Sequence, residues 1–113
     1  MSKDYKVYLL DILDAISKIN SYTSGLDQEQ FIADSKTIDA VVRNLEITGE
    51  AAKKLPETIR SQIKNVEWKK IAGLRDILIH QYSGIDNEII WDILTSKLPP
   101  LEKSVKDYLQ QNT

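Results

Sequence analysis

The sequence predicts an all-α protein, an up-and-down bundle of about five to six helices forming one domain over residues 1–113. Three observations predict it. Apolar residues recur at three- and four-residue intervals along most of the chain, and β-branched or aromatic residues nowhere alternate with polar ones as a half-buried strand requires. Breakers fall between the periodic stretches, at Gly25, Pro56, Ser83-Gly84 and Pro99-Pro100. The composition is that of a globular chain, with 42% apolar and 28% charged residues, and 113 residues suffice for a single core without covalent staples.

A first helix is expected from about Lys3 to Ser21, with Tyr5, Leu9, Ile12, Ile16 and Ile19 on one stripe and Leu10 and Leu13 widening it. The stretch SYTSG ends it, with Gly25 as the stop. A long second helix is expected from the N-cap Asp27 to about Lys54, roughly 40 Å at 1.5 Å per residue. Its inward stripe is Ile38, Val41, Leu45, Thr48, Ala52 and Leu55. Gly49 inside it costs about 1 kcal/mol against alanine, which points to close approach by a neighbouring helix. PETIRSQI makes a short helix and KNVEW a connection. A third long helix should cover about Glu67 to Tyr82. Asp86 can cap the next, Asn87 to about Lys97, with Ile89, Ile90, Ile93 and Leu94 inward. Pro99-Pro100 is expected to force a corner before a last helix from about Leu101 to Gln110, built on Leu101, Val105 and Leu109.

Composition narrows the function classes. The chain has no cysteine, hence no disulfide framework or thiolate metal site. The start MSKDYKVYLL carries an acid, Asp4, within its apolar pattern and lacks a cleavage-like site, and no apolar run reaches the roughly 18–20 residues that span a bilayer. No membrane association and a cytoplasmic location are the expectations. A net charge of −2 is not that of a generic nucleic-acid binder, so any basic groove would be local or assembled between subunits. No ligand cluster suggests a metal, and no glycine-rich loop suggests that the chain itself holds a nucleoside triphosphate; no cofactor is expected.

The segment GLRDILIHQYSGID, residues 73–86, stands out. Plotted at about 100° per residue, Trp68, Ile71, Arg75, Leu78 and Tyr82 share a stripe, so Arg75 occupies a slot where the pattern wants an apolar residue. Lys69, Gly73, Asp76 and His80 form the one polar stripe, and His80 is the only histidine in the chain. Asp76 and His80 are four residues apart, close enough for a carboxylate–imidazole hydrogen bond that orients the ring and favours the imidazolium. Arg75 and His80 are about 140° apart and could flank one pocket beside the helix wall. A structural reading is equally open: an Asp-His pair can be a satisfied structural contact, and such an arginine can be paired at an interface, with Glu46 or Glu50 as its carboxylate. From the residues alone the segment says interface or site.

The string WKKIAGLRDILIHQY, followed by GID and then IIWDIL…LPPL, resembles the HepT-like ribonuclease family of the HEPN superfamily. Its Arg-x4-His-x-Tyr motif is matched by Arg75, His80 and Tyr82, with the polar Asp76 directly after the arginine. The second helix, DAVVRNLEITGEAAKKLP, is similar to the family's stretch ending in Gly-Glu-Ala-Ala, here Gly49 to Ala52. The resemblance implies an all-helical toxin of a two-gene module that dimerises through its motif helices. Its partner would be a minimal nucleotidyltransferase antitoxin, with which it could form a larger hetero-oligomer. It further implies metal-independent cleavage of RNA by Arg75 and His80, and neutralisation by transfer of AMP to Tyr82. Asp76 would orient His80, and Glu50 and Asn44 resemble recurrent family positions that hold Arg75 or line the groove. A second reading keeps the same dimer as a non-catalytic binding partner or substrate of a nucleotidyltransferase.

Overall fold

The computed structural model describes residues 4–80 and 86–112, and for Ile79 and His80 the backbone alone. Helix α1 (Lys6–Thr23) buries Leu9, Ile12, Ala15, Ile16 and Ile19, the stripe read from the spacing. Leu10 does not widen that face. It is 56% exposed, because the helices Ser35–Lys54 and Leu98–Gln111 cover the Leu9 stripe and leave the Val7–Leu10 side open. After α1 the chain turns through Gly25, whose φ of 80° is left-handed and suits a residue without Cβ.

The segment after Asp27 is two helices, not one. Asp27 caps α2 (Gln28–Ile32) in a reciprocal box: its carboxylate accepts from the Gln30 N–H at 2.8 Å while its own N–H donates to Gln30 Oε1 at 3.0 Å. At Asp34 the backbone leaves helical geometry. Its carboxylate accepts from both the N–H and the hydroxyl of Thr37, at 3.1 and 2.8 Å, and starts α3 (Ser35–Lys54). Those two donations hold the Asp34 carboxyl below the ordinary carboxylate range. The break lets Phe31, fully buried, meet the Trp91 ring at 5.2 Å between centroids. Helix α3 is the spine, packed against α1 and α2 and against the later helices Trp68–Ala72 and Leu74–His80.

The short α4 (Glu57–Arg60) follows Pro56. The expected third long helix is bent into α5 (Trp68–Ala72) and α6 (Leu74–His80) at Gly73, whose ψ of −3° departs from the helical value. Helix α7 (Asn87–Asp92) is capped by Asp86, which accepts from the Glu88 N–H at 2.9 Å. Ile89, expected inward, is 48% exposed, while Ile90 one position on is buried. The two prolines make no corner. A π-helical turn at Ile93–Lys97 leads directly into α8 (Leu98–Gln111), with Pro99 and Pro100 in its first turn, where a missing N–H removes no intrahelical bond.

The ends of the chain are tied by a phenol pair. Tyr108 on α8 donates to Gln62 Oε1 at 3.1 Å and lies 3.4 Å from the Tyr5 hydroxyl. The hydrogen bond with Tyr5, with burial behind it, pushes the Tyr108 hydroxyl up to about 12. A folded-state value above the unfolded one means stability that is whole below pH 10 and is lost as pH rises through about 12. Melting temperature followed across that interval should fall, and Tyr108→Phe should flatten the fall; an identical profile in the variant would show that the phenol does not contribute.

Candidate functional site

Helix α6 meets the spine through Leu74 and Leu78, which are 4% and 2% exposed. With Ile71 they form the buried stripe, at the same 3-4 spacing as the one that placed Arg75 inward. Arg75, Asp76 and Ile77 are therefore all exposed. The approach of α3 to this helix is close: a Cβ on Gly49 would lie 3.1 Å from the Ile71 carbonyl oxygen and 3.3 Å from the Arg75 nitrogen. Gly49 thus serves the role its spacing suggested, and the residue after it is carried to the motif.

That residue is Glu50. Its Oε2 lies 3.4 Å from Arg75 Nε, with the two side chains 48% and 46% exposed. The contact is longer than a good charge-assisted hydrogen bond of roughly 2.7–2.9 Å, and a half-solvated pair of this kind is worth about 0–1 kcal/mol. It aims the guanidinium without locking it. A planar cation with five N–H donors, held at one edge and open to solvent, can accept an anionic ligand on its other donors.

The other sequence-derived positions divide. Asp76 is exposed, one residue beyond Arg75, and the His80 backbone closes α6 one turn later. The His80 ring, and with it the expected Asp76–His80 hydrogen bond, lies outside the described residues, as does Tyr82. Asn44 makes no hydrogen bond to Arg75 among the described residues. It is 6% exposed, and its Nδ2 donates to the Ala40 carbonyl at 2.9 Å, while Thr48 one turn on donates back to the Asn44 carbonyl at 2.9 Å. Both polar groups are satisfied within α3. Asp39 and Arg43 are exposed, and with Ser35, Ile38, Asn87 and Ile90 they line a cavity of about 500 Å³ between α3 and α7. Among the described residues no group of His, Asp or Glu gathers as a metal site, and no helix is long and apolar enough to cross a membrane.

Sequence reasoning did not single out Ile77, which is 43% exposed beside two charges. On a helix buried through 71, 74 and 78, position 77 has no core to enter, but spacing alone does not select that stripe.

A family model described as Ribonuclease HepT-like matches residues 12–108. The chain is 43% identical over 108 residues to "Putative RNase MJ0127" of Methanocaldococcus jannaschii, covering 96% of this chain and 89% of that protein. It is 42% identical over 109 residues to "Putative RNase TTE0752" of Caldanaerobacter subterraneus subsp. tengcongensis, covering 96% and 97%. To the "Probable ribonuclease HepT" of Thermococcus cleftensis it is 38% identical over 102 residues, covering 90% and 93%. No solved structure matches.

Proposed function

The chain belongs to the HepT-like ribonuclease family, and from that premise we propose that it is a metal-independent endoribonuclease toxin, restrained by a minimal nucleotidyltransferase antitoxin. The observation that carries the reading is Arg75: a half-exposed guanidinium, held at one edge by Glu50, on the helix that ends at His80. Metal-independent cleavage of RNA needs a base for the 2′-hydroxyl, an acid for the 5′-oxygen that leaves, and a cation for the charge developing on phosphorus. His80 supplies the proton transfers near neutral pH, and Arg75 the permanent cation. The 2′-oxygen bonds to phosphorus as the P–O5′ bond breaks, leaving a 2′,3′-cyclic phosphate. Asp76 holds the ring in register, as a positioning residue.

One chain has one histidine. A twofold dimer through α6 brings two histidines and two arginines to one seam, and the exposed Ile77 between them gives that seam an apolar contact. The basic groove then belongs to the dimer, which accommodates an overall charge of −2. Neutralisation follows from Tyr82, seven residues after Arg75: its phenol oxygen attacks the α-phosphorus of ATP, pyrophosphate leaves, and the phenol proton passes to a base on the transferase. The bulky AMP ester puts negative charge where RNA phosphates would pair with Arg75.

The test is intact mass together with RNA cleavage in EDTA, for protein made with and without a minimal nucleotidyltransferase and ATP. The expected result is cleavage ending in cyclic phosphates, abolished as AMP increments appear on the wild type, with Tyr82→Phe unmodified and uncontrolled. An increment on another residue, or control that persists in Tyr82→Phe, would remove the tyrosine from the scheme.

A further inference from the structure

A cavity of about 400 Å³ opens upstream of the motif, between α4 and α5, walled by Glu57, Arg60, Ser61, Trp68, Lys69 and Ala72. Its cations are poorly matched to the protein around them. Arg60 Nη2 meets the exposed Glu57 carboxylate at 3.3 Å, but Arg60 Nε is buried and has no hydrogen-bond partner. A donor cut off from both water and an acceptor is an unfavourable resting state, and turning the guanidinium toward a group that accepts from Nε and Nη together relieves it. A phosphate is such a group. Lys70 and Lys97 both pair with Glu67, whereas Lys69, exposed on the cavity wall, makes no ion pair among the described residues.

Beside these cations stands an aromatic wall. Trp68 is half-buried, and its indole N–H donates to the Ile63 carbonyl at 3.1 Å, which fixes the ring while leaving it part of the cavity lining. A fixed ring next to phosphate-binding cations is how single strands are held without sequence readout. The cavity also opens beside the helix that leads into the motif helix. Gly73 joins the two, its N–H donating to the Lys69 carbonyl and its carbonyl accepting from the Ile77 N–H, each at 3.1 Å. Eleven residues of rise separate Lys69 from His80 by roughly 16 Å, further than a dinucleotide reaches.

We propose that this cavity is a subsite for single-stranded RNA, taking one phosphate on Arg60 and Lys69 and one base against Trp68, a few nucleotides from the bond that is cleaved. It rests on the ribonuclease reading and adds to it a reason for the enzyme to prefer an extended strand over a short one.

The test compares Arg60→Gln and Lys69→Gln with Lys103→Gln, an exposed substitution on α8. The substrates are a dinucleotide and a fluorescent single-stranded RNA of about twelve nucleotides. Cleavage and fluorescence anisotropy are both read. For the longer RNA, Arg60→Gln should raise KM about tenfold and Lys69→Gln several-fold, with kcat and dinucleotide cleavage unchanged and the salt slope of binding reduced by about 0.7 per charge removed. Lys103→Gln should behave as wild type. Lys69→Gln, on an exposed side chain, decides the matter if Arg60→Gln fails to fold.

Unchanged affinity for the longer RNA in the folded variants overturns the subsite and leaves the ribonuclease reading standing; a cavity that serves a protein partner would give this result. An equal loss on both substrates overturns it too, since it marks general distortion. Weakened binding in variants of a protein that cleaves nothing keeps the subsite and retires the ribonuclease reading. A wild-type chain that does not bind the longer RNA ends both.

Discussion

Arg75→Ala and His80→Ala are each expected to slow RNA cleavage by at least about 10²-fold while the Arg75 variant melts close to wild type. The two expectations come from different physics. Arg75 is half-exposed and its ion pair with Glu50 is solvated, so truncation should change stability by less than about 1 kcal/mol. In the proposed mechanism the same group faces charge developing on phosphorus, and loss of one such stabilising donor costs about 10²–10³ in rate. Removing a proton-transfer group costs about 10²–10⁴. Arg75→Lys should recover little, because a point charge on a flexible stem does not reproduce the planar fork. Initial rates on a labelled single strand in EDTA, read beside thermal melts and dimer mass, decide the matter. Folded dimeric variants that cleave at the wild-type rate would end the catalytic assignment. Variants that still arrest growth would favour the alternative of a non-catalytic dimer that engages a nucleotidyltransferase.

Much of the fold was legible because its determinants are local. The Leu9–Ile19 stripe, the Asp27 cap, the stop at Pro56 and the close approach at Gly49 all follow from spacing or from one residue's backbone preference. The departures lie where local chemistry allows two outcomes. Phe31 and Ile32 continue a helical pattern into Ser35, and the break at Asp34 combines a local cap, Asp34 accepting from Thr37, with the burial of Phe31 against Trp91, which spacing does not show. A proline pair can turn a chain or open a helix, and the π-helical turn ahead of it selects the second. Two stripes run through the motif segment at 3-4 spacing, one through Ile71, Arg75 and Leu78 and one through Ile71, Leu74 and Leu78. Periodicity alone does not choose between them; the desolvation of a guanidinium does. Of the candidate site, the sequence named Glu46 or Glu50 as carboxylates for Arg75, and the α3–α6 crossing selects Glu50.

That crossing gives the second large effect. Gly49→Ala is expected to destabilise the protein although alanine is the better helix former. The helical preference favours alanine by about 1 kcal/mol. Against it, the new Cβ would sit 3.1 Å from the Ile71 carbonyl oxygen, 3.3 Å from the Arg75 nitrogen and 3.4 Å from Leu74 Cβ. Two of those are backbone atoms, which no rotamer change can move aside, so α5 and α6 must shift as units against a packed core. Overpacking of this kind costs about 1–3 kcal/mol, and with backbone atoms as the obstacle the cost should lie above the low end of that range and outweigh the propensity gain. The net loss should lower the melting temperature by several degrees, at about 4–8 °C per kcal/mol for a domain near this size. Gly49→Val, larger and β-branched, should lower it further. Activity should fall by more than stability explains. At 25 °C the alanine variant should remain almost wholly folded, yet the atom it displaces is the backbone nitrogen of Arg75, the proposed catalytic cation, and misplacing such a group by 1 Å costs about 10²-fold. A few tenths of an ångström should then slow cleavage about tenfold at unchanged folded fraction. A Gly49→Ala protein that melts higher and cleaves RNA at the wild-type rate would mean that the spine does not set the position of Arg75.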